Sequence, residues 1–338
     1  MFRTRSPRLW ALLIVTVTVG AAACSSSSSS SPPAAGATSS ASTAAKHYTI
    51  AYVPGATGVA FYDTLLAGMK AKAASLGMSV IYQGSPNFAP ASQTPIVDAV
   101  CTKHPNVLIV SPTDSVAMAP AIDTCLSAGI PVITVDTGLT NTSKLTSAIT
   151  TDNDQGGTIA AQYVGKALGG KGQVALMSLS PTATTQVERI SSFESEMKSA
   201  YPGITVIPVQ YTTQATSDSE TVARSILAAH PGVKAFFGSA EPNAEGAAAA
   251  LKALGLTGKV LDVGFDASPA EVALLKSGGI NATIAQPAAE EGADAAQFAY
   301  DKLTGDTGGI TASVQLPDVL LTSADASQAA YTKYFYIP

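Results

Sequence analysis

Four acidic side chains lie at the carboxyl ends of predicted strands, or in the loops just beyond them. They are Asp114, Asp136, Glu241 and Asp266. In open α/β sheets, ligands bind outside the carboxyl ends of the strands. Phe61 and Tyr62 follow the loop after the first predicted strand, where they either line such a site or pack in the core at a helix entrance. The pattern predicts that these groups bind a small molecule.

The residues that follow Asp266 are also typical of a helix start. In the run Asp-Ala-Ser-Pro-Ala-Glu, Ser268 would be the N-cap, Pro269 the first helical residue and Glu271 the capping-box partner. The two interpretations are compatible, because Ser268 can cap the helix while Asp266 faces a ligand.

Motifs that would indicate catalysis are absent from the sequence. Residues 165–172 fit the phosphate-loop spacing G-x4-G-K, but the run ends in Gly and lies after a predicted helix, the reverse of the required order. No G-x-G-x-x-G follows a strand, and neither G-x-S-x-G nor H-E-x-x-H occurs. Three histidines and three cysteines leave little material for a metal site. We predict a binding protein with no catalytic residue, no metal and no cofactor.

The elements that must position these groups alternate between strand and helix, in two successive series. Strands are predicted over residues 48–53, 79–82, 107–110, 131–135, 173–179, 205–210, 235–237 and 260–264. Helices are predicted over residues 63–76, 95–102, 117–128, 156–168, 186–200, 220–229 and 243–254. Continuous apolar strands separated by helices indicate βαβ units and buried parallel sheets.

The two series resemble each other. In each, a His-Pro turn (His104, His230) precedes a strand, and a later strand ends in an aspartate (Asp136, Asp266). We therefore predict an α/β fold of two doubly wound parallel-sheet lobes, with both histidines closing helices.

Composition bounds the size of the protein and the class of its partners. The chain has 338 residues, of which 46% are apolar and 13% charged, enough for about two domains of ordinary size. Its formal net charge of −5 argues against nucleic acid or an anionic membrane as the main partner, because both need a basic footprint.

The N-terminus has the order of a bacterial export signal. Arginines precede an apolar run over residues 9–19, and small residues 20–23 lead to Cys24. This arrangement resembles a lipobox, which implies that residues 1–23 are removed and that Cys24 carries a lipid. The alternative is an ordinary cleaved signal with an incidental cysteine. The Ser-rich residues 24–46 then form a flexible, lipid-anchored linker.

Residues 48 to about 305 resemble the type I periplasmic sugar-binding proteins of bacteria, with the ribose-binding branch the most similar. The resemblance rests on the order and spacing of residues 110–115 (VSPTDS), 129–136 (GIPVITVD), 151–157 (TDNDQGG), 169–172 (GGKG), 264–266 (GFD) and 282–286 (ATIAQ). It implies two lobes, 47–151 with 287–314 and 152–286 with 315–338, joined by a three-segment hinge.

The same resemblance implies a use for the fold. The lobes of this family close on a ligand by a hinge motion, and the loaded protein docks on an ABC permease. The alternative use within the family is a ligand-sensing lipoprotein that signals to a membrane receptor. We expect an extracytoplasmic monomer, anchored to the cell membrane by its lipid, in either case.

The family's binding residues map one by one onto this chain. In chain order they are the aromatic pair Phe61 and Tyr62, the aspartate Asp136, the arginine Arg189, the aspartate Asp266 and the hinge glutamine Gln286. Aromatic faces pack on the C–H faces of a sugar, and charged groups exchange strong hydrogen bonds with its hydroxyls.

Three positions depart from the family pattern. Thr137 stands where an arginine usually follows the first aspartate, Ala240 replaces an asparagine beside Glu241, and Val59 replaces an asparagine before the aromatic pair. Changed partners imply a changed ligand, because a site built to pair a hydroxyl penalises its absence. We therefore expect a monosaccharide other than ribose, a deoxy sugar or a short polyol.

Cys101 and Cys125 are predicted to form a disulfide. Each lies near the C-terminal end of a helix, and successive helices of a doubly wound sheet lie side by side and run the same way. Export places the pair in an oxidising compartment. The alternative is two buried free thiols that act as small apolar residues.

Overall fold

The computed structural model describes residues 47–337 of the chain. The predicted signal peptide, linker and lipidated Cys24 lie outside the described residues. No helix within residues 47–337 combines the length and the apolar character needed to cross a bilayer.

Six parallel strands form the first sheet. They are β1 (Thr49–Val53), β2 (Ser79–Tyr82), β3 (Val107–Val110), β4 (Val132–Val135), β5 (Ser147–Thr151) and β12 (Ser313–Leu316). Their order across the sheet is β12-β5-β4-β3-β1-β2. Strands β3 and β4 are buried along their whole length, as expected for continuous Val, Ile and Leu runs between two helix layers.

Helices cover both faces of this sheet. They are α1 (Ala60–Ser75), α2 (Pro90–Thr102), α3 (Ala119–Ser127) and α9 (Ala288–Thr304). Ile50 and Tyr52 of β1 share a core with α1 and α9, whereas Ala51 and Val53 share another with α2 and α3. Because alternate strand residues face opposite ways, the two helix pairs lie on opposite faces.

The second sheet repeats this plan. Its strands are β6 (Gly172–Ser178), β7 (Ile204–Val206), β8 (Gln210–Tyr211), β9 (Val233–Gly238), β10 (Leu261–Phe265), β11 (Ala282–Ala285) and β13 (Val319–Thr322). The order is β13-β11-β10-β9-β6-β7, β8 also pairs with β6, and β13 alone among these strands is antiparallel to its neighbour. Its helices are α4 (Asn153–Ala167), α5 (Thr184–Ala200), α6 (Thr216–Ala229), α7 (Glu241–Ala253) and α8 (Pro269–Ser277). The predicted fold class is confirmed.

Three segments cross between the sheets, at residues 151–153, 286–287 and 317–318. The third crossing was predicted two residues too early, after residue 314, because β12 continues pairing with β5 through Leu316. The first two crossings are hydrogen-bonded to each other, since the Thr151 hydroxyl donates to Gln286 Oε1 at 3.0 Å.

A fourth connection comes from the C-terminal end of the described chain. After a 3-10 turn over Ala329–Tyr334, the Tyr336 N–H donates to the Ala267 carbonyl at 3.0 Å in the second lobe. The next residue, Ile337, donates its N–H to the Thr64 hydroxyl at 2.9 Å in the first lobe. The C-terminal segment therefore bridges the lobes.

A disulfide joins Cys101 on α2 to Cys125 on α3, with the Cα atoms 5.0 Å apart. The two helices lie side by side as expected, and both cysteines are buried in the core beneath them. The bridge therefore joins the two helices that cover this face of the first sheet.

Some element boundaries differ from the sequence predictions. The strand predicted over 205–210 is split into β7 and β8, because Pro208 has no N–H to offer a ladder. Strands β5, β11, β12 and β13 were not predicted. His104 ends α2 with a left-handed φ of 50°, which agrees with its expected place at a helix end.

The predicted capping box at α8 is half right. The Ser268 hydroxyl accepts the Glu271 N–H at 3.1 Å. The Glu271 side chain does not return a bond, because it is fully buried in the second lobe, and neither carboxylate oxygen has a hydrogen-bond partner among the described residues. Burial, followed by the nearby charge of Asp266, raises the pKa of Glu271 well above its ordinary value.

Candidate ligand-binding site

A cavity of about 250 Å³ lies between the two lobes. Nine of the residues nominated from the sequence as ligand contacts line it: Phe61, Tyr62, Asp136, Thr137, Arg189, Ala240, Glu241, Asp266 and Gln286. Asp114 does not line this cavity, and its Oδ1 instead accepts the N–H groups of Val116 and Ala117 at 2.9 and 2.7 Å. Asp114 therefore orders the loop that follows β3.

Asp136 and Asp266 occupy corresponding places in the two lobes, directly after β4 and β10. Their φ angles are 61° and 98°, in the left-handed region that residues other than glycine rarely adopt. Strained residues of this kind persist where surrounding contacts fix them, and they cluster at functional sites. The backbone strain thus singles out the same two aspartates as the sequence pattern.

Asp136 is held from two sides within the first lobe. The Tyr62 hydroxyl donates to Asp136 Oδ2 at 2.8 Å, and Oε1 of the buried Glu291 on α9 accepts the Asp136 backbone N–H. Burial raises the pKa of Asp136 to about 6, although the charge of Arg189 opposes the rise. At neutral pH its carboxyl is mainly ionised and can accept hydrogen bonds.

Asp266 receives more donors than Asp136. Its Oδ1 accepts Gln286 Nε2 at 2.5 Å and the Tyr336 hydroxyl at 2.8 Å, and its Oδ2 accepts the Glu241 backbone N–H at 3.1 Å. These groups come from a crossing segment, the C-terminal segment and the start of α7. The geometry of Asp266 therefore depends on the hinge as well as on its own lobe.

Arg189 is fixed in the wall of the cavity and is only 2% exposed. Its guanidinium lies 3.6 Å from the centre of the Phe265 ring. Its N–H groups donate to Asn153 Oδ1 at 2.7 Å, to the Ser239 carbonyl at 2.9 Å and to Gln286 Oε1 at 2.9 Å. All three acceptors are neutral, so the charge of Arg189 is positioned without a direct ion pair.

Aromatic rings form the first-lobe side of the cavity. The rings of Phe61 and Tyr62 lie 5.2 Å apart, edge to face, and Tyr336 packs on Phe61 at 5.6 Å. Phe61 and Phe88 both line the cavity. Such faces suit the apolar C–H surface of a ring or a carbon chain.

Two glutamates on α7 line the second-lobe side. Glu241 begins the helix and Glu245 follows one turn later, so both lie on the same face. Burial raises the pKa of Glu241 to about 8, and the charges of Asp266 and Glu245 add to the rise. Burial also raises the pKa of Glu245, which accepts the Thr216 hydroxyl at 3.1 Å.

The three departures from the family pattern all lie at the cavity. Val59 and Ala240 present no polar side-chain atom, and Thr137 is 2% exposed with no hydrogen-bond partner for its hydroxyl among the described residues. Within residues 47–337, no group of three His, Cys, Asp or Glu side chains is arranged to hold a metal ion.

Sequence reasoning missed several residues of this site, among them Glu245 and Phe88 in the cavity lining and Tyr336, which bonds to Asp266. Glu245 follows Glu241 by four positions on a predicted helix, and that spacing was a usable signal. Tyr336 belongs to a Tyr-rich tail that carries no local pattern for a cleft, and Phe88 lies in a loop between β2 and α2. Their places depend on contacts with distant parts of the chain.

The lobes touch each other beyond the cavity as well as at the hinge. The Gly138 N–H of the first lobe donates to the Thr184 hydroxyl of the second at 2.9 Å, and the Ser115 N–H donates to the Thr182 carbonyl at 3.3 Å. The structure is therefore a closed form of the two lobes.

Known proteins share both the sequence and the fold. The ribose import binding proteins of Bacillus subtilis and Escherichia coli K12 are 30% and 33% identical to this chain, over 77% and 76% of it and 83% and 86% of their own lengths. A solute-binding protein of an ABC transporter from Agrobacterium vitis, solved with α-D-tagatopyranose, superposes with a TM-score of 0.83 at 33% identity, over 86% of this chain and all of that one.

The family model described as a periplasmic binding protein domain matches residues 50–307, which include both sheets apart from their edge strands β12 and β13, and the whole cavity lining. These relatives bind solutes, so the prediction of a binding protein rather than an enzyme is confirmed. The chain therefore belongs to the periplasmic binding protein family, in the type I sugar-binding group that its sequence predicted.

Proposed function

We propose that this protein captures a monosaccharide or small polyol between its two lobes and delivers it to an ABC permease. The observation that carries the proposal is the cavity between the lobes, which brings aromatic faces together with two strained aspartates and a fixed arginine. The sugar-binding roles of the Bacillus, Escherichia and Agrobacterium relatives support it.

Capture follows from the division of the site between the lobes. The first lobe offers the face of Phe61 and the carboxylate of Asp136, and the second offers Asp266 and Arg189. Hydroxyls of a bound ligand would connect groups that no direct bond joins, and this gain favours the closed arrangement. Gln286 is hydrogen-bonded to both Asp266 and Arg189, so the crossing segment that carries Gln286 is connected directly to two of the proposed ligand-binding residues.

The ligand differs from ribose in this proposal. Thr137, Ala240 and Val59 each have fewer side-chain hydrogen-bonding atoms than the residue that is usual in the family. The side chains of Ala240 and Val59 have none. A site that loses donors and acceptors discriminates against a ligand whose hydroxyls need them. A different monosaccharide, a deoxy sugar or a short polyol fits the remaining groups.

The cellular setting completes the proposal. We place the protein outside the cytoplasm as a monomer, tethered by a lipid on Cys24 and by the linker of residues 24–46. Wild-type protein should then label with fatty acid and partition into detergent, whereas Cys24→Ser should do neither. Equal partitioning of the two proteins would remove the anchor from the proposal.

A thermal-shift screen of sugars and polyols on the purified protein tests the binding function. A ligand at 100 times its dissociation constant adds about 2.7 kcal/mol to the free energy of unfolding. Asp266→Ala should weaken the binding of any hit by about 1–3 kcal/mol, because a buried acceptor is removed. Asp123→Ala, at an exposed ion pair with Lys144, is the matched control and should bind normally. No shift with any compound would contradict sugar capture.

A further inference from the structure

The charges that line the cavity are unbalanced. Four carboxyl groups line it, and the lining contains one basic residue, Arg189, and neither lysine nor histidine. The carboxyls belong to Asp136, Glu241, Glu245 and Asp266. A neutral ligand would leave this excess as it is, whereas a cationic ligand would compensate it.

Arg189 does not compensate these carboxyls directly. Its three bonded N–H groups point to neutral oxygens, on Asn153, Ser239 and Gln286. Among the residues that the structure describes, the ion pairs are Lys144–Asp123 and Arg224–Glu220, and both lie outside the cavity. The cavity carboxyls are therefore bonded only by hydroxyl, amide and backbone donors.

The excess of carboxyl groups over basic groups is greatest at the start of α7. Glu241 and Glu245 are carboxyl groups one helical turn apart, and two ionised carboxylates at that spacing would destabilise the helix. Asp266 lies beside them and accepts the Glu241 N–H, and the buried Glu271 adds a fourth acidic group with no hydrogen-bonded oxygen. Burial is the main cause of the raised pKa of Glu241, and the charges of Asp266 and Glu245 add to it.

A second observation, independent of the carboxyls, indicates that the cavity is built for a ligand with its own donors and acceptors. Thr137 lines the cavity and is 2% exposed, and its hydroxyl has no partner within residues 47–337. A buried hydroxyl without a partner is unfavourable, and native proteins seldom leave one unless a bound group satisfies it.

We propose that the ligand is a small polyhydroxylated compound that carries a protonated amine, such as an amino sugar or an amino polyol. The ammonium group lies against Glu241 and Glu245, where charge-assisted hydrogen bonds replace the repulsion between the two carboxyls. The hydroxyls of the ligand reach Asp136, Asp266 and Thr137. This inference rests on the proposed function and specifies its substrate class.

Matched pairs of compounds test the inference on the wild-type protein. We would titrate the purified protein calorimetrically at pH 7 with D-glucosamine and D-glucose, D-galactosamine and D-galactose, and 1-amino-1-deoxy-D-glucitol and D-glucitol. At least one amine should bind tenfold or more tightly than its neutral partner. This comparison needs no variant, so a folding defect cannot obscure it.

Variants then locate the amine. Glu241→Gln and Glu245→Gln should each reduce the ratio of amine affinity to neutral-partner affinity at least fivefold. Glu194→Gln is the matched control, since Glu194 is exposed on α5 and lies outside the cavity lining. Its preference should equal that of the wild type.

The outcomes separate this inference from the proposed function. Neutral sugars that bind as tightly as their amines, or more tightly, overturn the inference and leave sugar capture in place. An amine preference that survives both glutamine variants also overturns it, because the charge would then be recognised elsewhere. If none of the six compounds binds and the wider sugar and polyol screen also fails, both proposals fall.

Discussion

Tyr336 connects the two lobes at the level of a single side chain. Its hydroxyl donates to Asp266 Oδ1 at 2.8 Å in the second lobe, and its ring packs edge to face on Phe61 in the first. Burial raises its pKa well above the ordinary value, so the hydroxyl keeps its proton and remains a donor. Tyr336 is thus a positioning residue for the aspartate.

Replacing Tyr336 by Phe isolates the contribution of that hydrogen bond. The ring contact with Phe61 remains, whereas Asp266 loses one of its three donors. We expect ligand affinity to fall by about 1 kcal/mol, roughly fivefold, with little change in the unfolding midpoint. Calorimetric titration of a hit from the screen measures the change. Tyr331→Phe, in the same tail but at a residue that does not bond to Asp266, is the control, and equal affinities in the two variants would remove Tyr336 from this role.

At the residue scale, the sequence predicted those groups that follow a strand and missed those that arrive from elsewhere. Asp136 and Asp266 were predicted because the carboxyl ends of parallel strands converge on one edge of a sheet. Phe88 reaches the cavity through a loop, and Tyr336 reaches Asp266 and Phe61 through the C-terminal tail, and both paths depend on packing between distant segments. Contacts between distant segments leave no periodic pattern in the sequence from which they could be predicted.

Helices α2 and α3 are joined by the Cys101–Cys125 disulfide, an element-scale feature that can be tested for stability. The bridge spans 24 positions, and the chain-entropy model gives it about 3.5 kcal/mol. The double variant Cys101→Ser/Cys125→Ser should lower the free energy of unfolding by about that amount in urea. Cys24→Ser is the control and should unfold as the wild type does.

Mass spectrometry gives an independent answer on the same bridge. Alkylation of the unreduced protein should leave positions 101 and 125 unmodified. If both positions carry the alkyl group, the cysteines are free thiols in solution, and the stability of the double variant then reports only their packing.

The elements themselves were predictable where the apolar pattern is strong. Strands β3 and β4 are continuous apolar runs and were predicted within one residue of their bounds. Strand β5 was missed because it reads Ser-Ala-Ile-Thr-Thr, with small and polar residues and only alternate positions buried. Strands β12 and β13 lie at sheet edges, where burial on one side is incomplete and the sequence signal is correspondingly weak.

The proposed function depends, at the scale of the whole molecule, on closure of the two lobes. The structure is closed, with the Gly138 N–H bonded to the Thr184 hydroxyl and with Asp136 and Asp266 lining one cavity. Without ligand, carboxylates on both sides of the cavity repel, so we expect the open form to predominate in solution. Adding a ligand found in the screen should decrease the radius of gyration measured by small-angle X-ray scattering. Identical scattering curves with and without a proven ligand would contradict the hinge mechanism.

The buried acids also predict how the stability of the whole molecule depends on pH. Burial raises the pKa of Asp136 from 3.8 to about 6 and that of Glu241 from 4.5 to about 8, and it raises the pKa values of Asp262 and Glu271 well above normal. In each case the folded protein holds a proton that the unfolded chain releases at a lower pH. The contribution of each group is fully present below its unfolded pKa and is lost as the pH rises through its folded pKa.

From pH 5 upward, the ligand-free protein should therefore lose stability steadily to about pH 8. Urea unfolding at pH 5.0, 6.5 and 8.0 measures this, with the midpoint expected to fall in that order. Glu241→Gln should flatten the decline between pH 6.5 and 8.0, because the amide has no proton to release, whereas the exposed control Glu194→Gln should not. A midpoint that rises from pH 5.0 to 8.0 would show that the cavity carboxyls are ionised and stabilised by partners that the closed structure does not contain.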